Sequence, residues 1–315
     1  MVSIPSTDLN VYPISLGTSQ SGLTMDRPAA YRMFDAYVAA GGNFIDTARV
    51  YTDWLPGERS ASEKAIGEWL RLRRNRAELV IATKGGHPDL ESMHTPRLSP
   101  AKITGDLEAS LRHLGVETID LYWLHRDDPD RPVNDILETL AKQAQAGKIR
   151  YYGCSNWCTG RIREAQDYAI TYDLPGFAAS QMMWSLAVVD PEALSDDTIA
   201  PMDSEMLAYH LDTCLPAIPF SSQAGGLFTK LAEGRGAPEG EGPYRSPLNH
   251  ARLGRILSLS GETGFTITQI VLGYLLSQPF FTLPVIGPRT LEQLSDSLTA
   301  AEIHLTPEQV AFLEV

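Results

Sequence analysis

Cysteine is scarce in this chain of 315 residues, which has Cys154, Cys158 and Cys214 and no others. An odd, low number does not build a disulfide framework, and no second pair of Cys or His completes a zinc site. We therefore expect no metal, and a reducing compartment such as the cytoplasm. The first ten residues contain no basic side chain and no apolar run, so no secretion signal is expected.

Basic residues are also few. The chain has 26 Lys and Arg against 39 Asp and Glu, which gives a net charge of −13. Such an acidic chain disfavours nucleic acid and anionic membranes as partners. The apolar stretch Ile270–Ile286 is interrupted by Pro279 and Pro284, so it predicts a helix and a strand rather than a membrane span. We expect a monomer or small homo-oligomer that acts on a small molecule.

The fingerprint G-x-G-x-x-G of doubly wound dinucleotide-binding sheets is missing after the first predicted strand, where the chain reads ISLGTSQSG. Short apolar runs instead alternate with amphipathic stretches. Eight β-then-α units in one domain, residues 1–315, predict a parallel (β/α)8 TIM barrel. Pro216 and Pro219 fit a central strand poorly, so only the order of elements supports the seventh strand. The predicted strands are Pro13–Thr18, Asn43–Asp46, Leu79–Thr83, Ile119–Leu124, Ile149–Gly153, Phe177–Gln181, Thr213–Ile218 and Thr282–Ile286.

Capping residues mark the ends of the predicted helices. The first helix starts near Asp26, and the second starts at a capping box, Ser60-x-x-Glu63. The third opens with Ser99-Pro100, and later helices open at Thr290 and Thr306. The segments His87–Leu98 and Gly234–Pro247 are predicted as loops, in which His87 and His94 are expected to be solvated.

Polar residues follow the predicted strands at the end where barrel enzymes carry their chemistry. Asp46, Lys84 and His125 lie at the ends of strands two, three and four, and Tyr51 follows Asp46. Each alone has a plain structural interpretation, as a turn cap, a surface lysine, a core histidine or a half-buried aromatic. Together they predict a Tyr proton donor whose pKa is lowered by an ammonium, a carboxylate that holds the ammonium, and an imidazole that orients a carbonyl.

Four stretches carry a family resemblance. They resemble the motifs of the aldo-keto reductases and occur in the same order: GGNFIDTARVYTDW, LVIATKGG, SLRHLGVETIDLYWLHRDDP and AGKIRYYGCSNW. The resemblance runs from Leu16 to the last helix. The family implies a TIM barrel and hydride transfer between nicotinamide and a carbonyl or alcohol. It matches Asp46, Tyr51, Lys84 and His125 to the catalytic tetrad.

The same resemblance implies a nicotinamide cofactor. Phe220 stands where the family usually has a Tyr that stacks on the nicotinamide ring, and a Phe face stacks equally well. The turn that follows it looks like the pyrophosphate loop, whose backbone N–H groups hold an anion. Matches to cofactor-lining, carboxamide and pyrophosphate positions assign Gly17, Thr18, Ser155, Asn156, Gln181, Ser221, Ser222, Gly225 and Gly226.

The stretch VIGPRTLEQLSDSL resembles the family's adenosine-ribose segment, with Gly287, Arg289 and Thr290 in matching positions. Arg289 suits a 2′-phosphate, which favours NADP(H). Gln293 and Ser297 replace an Arg and an Asn that some members have, so NAD(H) stays open. Gln293 is still a candidate cofactor-binding residue, and Asp296 is a candidate contact for the adenine amino group.

The substrate pocket is expected to be open and polar. Ser19 stands where many relatives have a Trp, the chain ends soon after the Thr306 helix without a long closing loop, and charged residues follow the histidine. Aromatic faces beside hydrogen-bonding groups suit a polyhydroxylated ring, so a sugar, sugar derivative or cyclic polyol is predicted over an apolar ketone. A broad-range aldehyde reductase is the alternative. The candidate pocket residues are Ser19, Trp54, Arg126, Asp127, Trp157 and Trp184.

Two other functions remain open at this point. A non-catalytic subunit would keep the nucleotide site and act in redox sensing, and the intact tetrad argues against it. A Schiff-base aldolase would use Lys84 as its nucleophile, and the cofactor matches argue against that.

Overall fold

A computed structural model describes residues 1–235 and 242–314. The chain divides into two compact units, Met1–Gln181 and Met182–Val315. The strands are β1 (Val2–Ser3), β2 (Asn10–Val11), β3 (Ser15–Gly17), β4 (Phe44–Asp46), β5 (Val80–Gly85), β6 (Ile119–Leu124), β7 (Ile149–Ser155), β8 (Ser180–Gln181) and β9 (Val285–Ile286). The helices are α1 (Arg27–Ala39), α2 (Ala61–Arg73), α3 (Pro100–Leu114), α4 (Val133–Gln145), α5 (Thr159–Thr171), α6 (Ser204–Thr213), α7 (Leu227–Ala232), α8 (Pro247–Thr263), α9 (Ile267–Leu276), α10 (Leu291–Thr299) and α11 (Pro307–Glu314).

The first unit is an α/β structure. Strands β3 to β8 pair in chain order, each parallel to the next, and helices connect β3 through β7 while α5 leads to β8. The central strands β5 and β6 are buried along their whole length, as expected where helices cover a parallel sheet. An antiparallel pair, β1 and β2, precedes the sheet and was not predicted from the sequence. Parallel pairing in register brings the carboxyl ends of β4, β5, β6, β7 and β8 to one edge.

The predicted seventh strand, Thr213–Ile218, is wrong within the described residues. Thr213 ends α6, and Cys214 follows in the left-handed region with φ 56°. Ala217 makes an isolated parallel bridge to Thr282, and its amide bonds the carbonyl of Phe281 at 2.9 Å. The extended course is present, but the flanking prolines have no N–H to continue the ladder. The other seven predicted strands each overlap an observed one.

Most of the predicted helix starts are confirmed. Asp26, Ser99 and Thr290 each accept a hydrogen bond from a backbone N–H in the first turn of α1, α3 and α10. The capping box predicted at Ser60 is wrong. Ser60 has φ 53° and its side chain caps nothing, while the Glu63 carboxylate accepts from Thr83 Oγ1 at 2.6 Å and pairs with His113 at 2.8 Å. Glu63 therefore joins α2 to β5 and α3 instead of closing its own helix.

The second unit has a core of its own. Trp184 stacks on Phe280 with ring centroids 5.9 Å apart, and both pack in a cluster with Phe228, Ile256 and Tyr274. Helices α8 and α9 supply much of this cluster. Of the predicted loop Gly234–Pro247, residues 236–241 lie outside the described residues. Within the described ranges, none of the helices has the length and apolar character needed to span a membrane.

Candidate active site

The carboxyl ends of neighbouring strands in the first unit bring the predicted tetrad together. Asp46 is the last residue of β4, Lys84 is next to last in β5, and His125 follows directly on β6. Tyr51 lies in a turn after β4. The backbone amide of Tyr51 donates to the carbonyl of Ala48 at 3.1 Å in this turn. The four side chains thus come from three adjacent strands and the turn behind one of them.

Lys84 is the centre of this group. Its ammonium is 1% exposed, forms a salt bridge with Asp46, and donates to Thr47 O at 2.8 Å and Tyr51 Oη at 3.0 Å. Burial by itself would lower the pKa of Lys84, but the Asp46 carboxylate and Tyr51 raise it above its ordinary value. The lysine is therefore charged, and its hydrogen bond to Tyr51 Oη leaves the phenol proton free to point elsewhere.

The pKa of Tyr51 differs from the expectation based on sequence. Burial raises it above the ordinary value of 10.0, and the charge of Lys84 opposes that rise without overcoming it, while Asp46 adds to it. The ammonium acts in the predicted direction, but desolvation of the hydroxyl is the larger effect. Tyr51 is thus a protonated phenol at neutral pH, which is the form that can donate.

His125 is held as a neutral imidazole. Burial lowers its pKa well below 6.5, and the nearby positive groups His87, Arg126, Lys84 and Arg49 lower it further. Its ring lies edge-on to Tyr51, with centroids 5.9 Å apart. Among the described residues, no partner hydrogen-bonds its buried Nδ1. A neutral ring can donate one N–H to a carbonyl oxygen.

The expectation that His87 is solvated is wrong. The ring is buried, Nδ1 lies 2.7 Å from the carbonyl of Pro88, and the ring packs edge-on against His125 with centroids 4.8 Å apart. Gly86 has φ 73°, a left-handed conformation that suits glycine and turns the chain just before His87. The signal available in the sequence was the position of His87 three residues after Lys84 at the same strand end.

Trp123 is a second group that sequence reasoning missed. Its indole N–H donates to Asp46 Oδ1 at 3.1 Å, and the amide of Gln181 donates to the same oxygen at 3.1 Å. Alternate residues of a strand face the same side. Trp123 precedes His125 by two, so that alternation was the signal that would have found it. Both donors fix the carboxylate that holds Lys84.

The residues predicted to hold the carboxamide lie beside the tetrad. Ser155, Asn156 and Gln181 are buried at the ends of β7 and β8. The Asn156 amide donates to Ser155 Oγ at 3.1 Å and to the carbonyl of His125 at 3.2 Å. Thr18 donates to the carbonyl of Asp46 at 3.0 Å and is buried, whereas Gly17 is partly exposed. Polar groups able to bind a carboxamide are therefore concentrated here, and their role stays a prediction.

The candidate pocket residues of the first unit fall into two groups. Ser19 and Trp54 are exposed, and the Trp54 ring lies edge-on to Tyr51 with centroids 6.1 Å apart. Arg126 is buried and donates to the carbonyl of His125 at 2.9 Å, and Asp127 pairs with Arg161 at 3.1 Å. The charged residues after the histidine are thus engaged within the protein, while Ser19 and Trp54 face outward.

The other two candidate tryptophans are packed inside. Trp157 is 1% exposed, packs edge-on against Phe177 with centroids 5.1 Å apart, and donates to the carbonyl of Arg126 at 3.3 Å. Trp184 is 7% exposed within the core of the second unit. Their roles as substrate platforms stay predictions, and this burial weighs against them.

The second unit contains the predicted pyrophosphate turn. Positive φ angles recur at Ser221 (52°), Gly225 (62°) and Gly226 (80°), and successive turns of this kind form concave arrays of N–H groups that bind anions. Ser222 is buried and donates to the carbonyl of Val285 at 2.7 Å, which anchors the turn. Phe220 is partly exposed at the start of the turn.

The predicted adenosine segment lies at the start of α10. Gly287, Arg289 and Thr290 are exposed. The Gln293 side chain accepts from the amide of Arg289 at 2.8 Å, and Asp296 accepts from Thr266 at 2.9 Å. The side chains of Gln293 and Asp296 therefore both have partners within the unit. The described residues contain no group of three or more His, Cys, Asp or Glu placed to hold a metal ion.

Comparison with known proteins points in one direction. The profile of the aldo/keto reductase family matches residues 13–314. The Uncharacterized oxidoreductase YrpG of Bacillus subtilis is 31% identical, and the match covers 98% of this chain and 92% of that protein. Norsolorinic acid reductase stcV of Emericella nidulans is 30% identical over 98% of this chain and 79% of its own length. Aryl-alcohol dehydrogenase (NADP(+)) of Phanerodontia chrysosporium is 27% identical, and the match covers 98% of this chain and 83% of that protein.

Proposed function

Because this chain belongs to the aldo/keto reductase family, we propose that it transfers a hydride between a nicotinamide cofactor and a small carbonyl or alcohol substrate, with Tyr51 as the proton donor and acceptor. The observation that carries the proposal is the Lys84 ammonium, buried in a salt bridge with Asp46 and 3.0 Å from Tyr51 Oη. The family also implies a single (β/α)8 barrel domain over residues 1–315, which is part of the proposal.

The residues present fit a nicotinamide cofactor. Ser155, Asn156 and Gln181 offer hydroxyl and amide groups to a carboxamide, and the positive-φ turn from Ser221 to Gly226 offers N–H groups to a pyrophosphate. The cofactor, when bound, supplies the hydride. We propose NADP(H), since Arg289 is exposed and suits a 2′-phosphate. NAD(H) stays open because Gln293 and Ser297 stand where some members of the family have an Arg and an Asn.

The chain's own groups would handle the proton and the carbonyl. In reduction, Tyr51 donates its phenol proton to the carbonyl oxygen, and in oxidation the phenolate takes it back. Lys84 stabilises the charge that develops on the phenolate oxygen, and Asp46 keeps the lysine in place and charged. His125, neutral and edge-on to Tyr51, would donate an N–H to the same carbonyl oxygen and orient it.

The substrate class follows from the groups beside Tyr51. A sugar or cyclic polyol is proposed because Ser19 is exposed and Trp54 offers an aromatic face next to hydrogen-bonding groups. A flat aromatic aldehyde or alcohol is the second candidate. The Trp54 ring, 51% exposed and 6.1 Å from Tyr51, favours it, as does a relative named as an aryl-alcohol dehydrogenase. Asp127 pairs with Arg161, so its carboxylate is not free to bind sugar hydroxyls, which weakens the argument for a sugar.

Turnover of a panel of sugars, polyols, aliphatic carbonyls and aromatic carbonyls, with NADPH and NADH in turn, tests the proposal. Ranking by kcat/KM separates the two substrate classes. No turnover of any carbonyl or alcohol with either cofactor would favour a non-catalytic redox-sensing subunit. Covalent trapping of a substrate on Lys84 by borohydride would favour an aldolase. The raised pKa of Lys84, set by Asp46 against burial, argues against the neutral amine that a Schiff base needs.

A further inference from the structure

Side chains in the connection between β7 and α5 and in the first turn of α5 bind backbone carbonyls of the loop that begins at His125. Asn156 Nδ2 donates to the carbonyl of His125 at 3.2 Å, and Trp157 Nε1 donates to that of Arg126 at 3.3 Å. Arg161 Nη2 donates to the carbonyls of Asp128 at 3.2 Å and Arg131 at 2.9 Å. We call residues 125–131 the histidine loop. Its backbone is thus tied at four points to the next β/α unit.

Arg161 makes the largest number of these contacts and is itself fixed. Its side chain is 13% exposed, Nε donates to Asp127 Oδ2 at 3.1 Å, and Nη1 donates to Glu164 at 2.7 Å. The guanidinium also lies 5.5 Å from the centroid of the Trp157 ring. One planar fork therefore reaches two carboxylates and two carbonyls at once, which a point charge on a flexible stem does not do.

The position of Arg161 is electrostatically unfavourable for helix α5. Arg161 lies in the first turn of α5, where the helix dipole disfavours a positive charge. The side chain folds back to the histidine loop instead of extending to solvent. The loop in turn begins with His125, whose ring must lie beside Tyr51 to meet a carbonyl oxygen.

We propose that Arg161 is a positioning residue for the reaction: it holds the histidine loop so that His125 is aimed at the carbonyl. The inference rests on the proposed function. Asn156, assigned to the carboxamide, binds the first carbonyl of the same loop, so cofactor contacts and His125 share one framework. A displacement of His125 by about 1 Å is enough to cost a large factor in rate.

The test compares Arg161→Met with a matched variant, Arg150→Met. Arg150 lies near the start of β7, at the opposite end from Ser155, and forms ion pairs with Asp120 at 2.8 Å and Asp8 at 2.6 Å. We expect Arg161→Met to lower kcat by about ten- to a hundredfold with little change in the cofactor Kd. Arg150→Met removes comparable ion pairs and is expected to keep the kcat of the unaltered protein.

Rescue separates positioning from a loss of folding. Guanidinium ion added to Arg161→Ala is expected to restore part of kcat, because the free ion can bind Asp127 and the exposed carbonyls. Arg161→Lys is expected to remain slow, since it keeps the charge but not the fork. The inference is overturned if Arg161→Met, folded by circular dichroism, keeps a kcat within twofold of the unaltered protein, or if Arg161→Lys is fully active.

The two proposals fail in different ways. If the proposed function is wrong, the unaltered protein turns over no carbonyl or alcohol with either cofactor. If only the present inference is wrong, the unaltered protein turns over its substrate and Arg161→Met does so at the same rate.

Discussion

At the scale of single residues, the hydrogen-bonding capacity of Lys84 decides how the site is built. An ammonium has three N–H donors, and in Lys84 they meet Asp46, the carbonyl of Thr47 and Tyr51 Oη. A buried charge with unmet donors would be strongly destabilising, so a full set of acceptors is what allows this lysine to be buried. The same arrangement places a fixed positive charge on the proposed proton donor.

Tyr51→Phe tests that donor. Turnover is expected to fall by at least about a hundredfold, the usual scale for losing a general acid–base group, while cofactor affinity changes little. Tyr122→Phe is the control, because Tyr122 lies in the same unit, is buried, and its hydroxyl has no hydrogen-bond partner among the described residues. It should leave turnover unchanged. Steady-state kinetics decide it, and near-normal turnover in Tyr51→Phe would remove the tetrad assignment.

His125 is expected to make stability depend on pH. Burial, with His87, Arg126, Lys84 and Arg49 nearby, lowers its pKa well below 6.5. The unfolded chain therefore binds a proton below about pH 6.5 that the folded protein does not, and the free energy of unfolding falls as the pH drops. The largest slope for one proton is about 1.4 kcal/mol per pH unit.

Denaturant titrations of the unaltered protein and His125→Gln between about pH 5 and 7 measure this slope. In His125→Gln, the free energy of unfolding should depend less steeply on pH, because the contribution of one proton is removed. Since the pKa of His210 is lowered by burial too, some dependence on pH should remain. Identical slopes in both proteins would mean that His125 titrates normally in the folded state.

At the scale of elements, Glu63 shows how a residue can serve the packing of helices rather than its own helix. Its fully buried carboxylate lies in α2 and is bonded to Thr83 in β5 and His113 in α3. Ser60, three residues earlier, is in a left-handed conformation and its side chain makes no cap hydrogen bond. The connection between α2, β5 and α3 thus depends on Glu63 and not on Ser60.

Glu63→Ala is expected to lower the free energy of unfolding by about 2 to 4 kcal/mol, since it leaves the buried Thr83 hydroxyl without its partner and removes a charge-assisted bond to His113. Ser60→Ala is expected to change it by less than about 0.5 kcal/mol, because Ala and Ser bear the same left-handed strain and no cap is lost. Urea denaturation measures both. If Ser60→Ala lowers the free energy of unfolding by about 1 kcal/mol, Ser60 caps the helix after all.

At the scale of the whole molecule, cofactor binding should stabilise the folded protein. A nucleotide that binds only the folded state adds about 2.7 kcal/mol at a hundredfold excess over its Kd. NADPH should therefore raise Tm more than NADH at equal concentration. Arg289→Ala should narrow the difference in binding free energy between the two by about 1 to 3 kcal/mol, the range of a charge-assisted hydrogen bond.

Arg235→Ala is the matched control, since Arg235 is also exposed in the second unit and pairs with Glu233. Isothermal titration with both nucleotides reads out the affinities. An unchanged NADPH to NADH ratio in Arg289→Ala would place the recognition of the 2′-phosphate at another residue.

Local pattern accounts for what could be predicted. Alternation of apolar runs with capped amphipathic stretches is a property of neighbouring residues, and it located seven strands and most helix starts. The prolines that flank Ala217 are local too, and they explain why the remaining predicted strand forms a single bridge. Asp46, Lys84 and His125 were found because strand ends in a parallel sheet share one edge.

The sequence by itself determined most of the order of β and α elements, the family, and the position of Asp46, Lys84 and His125 at strand ends. All of these follow from patterns along the chain. Only the tertiary structure decided which side chains from distant parts of the chain come into contact. His87 against His125 and Arg161 on the histidine loop depend on distances between residues that no local periodicity encodes. The alternation that places Trp123 on the same side as His125 does not identify Asp46 as its partner. The pKa of Tyr51 was likewise decided there, because it is the difference between the effect of burial and that of a neighbouring charge.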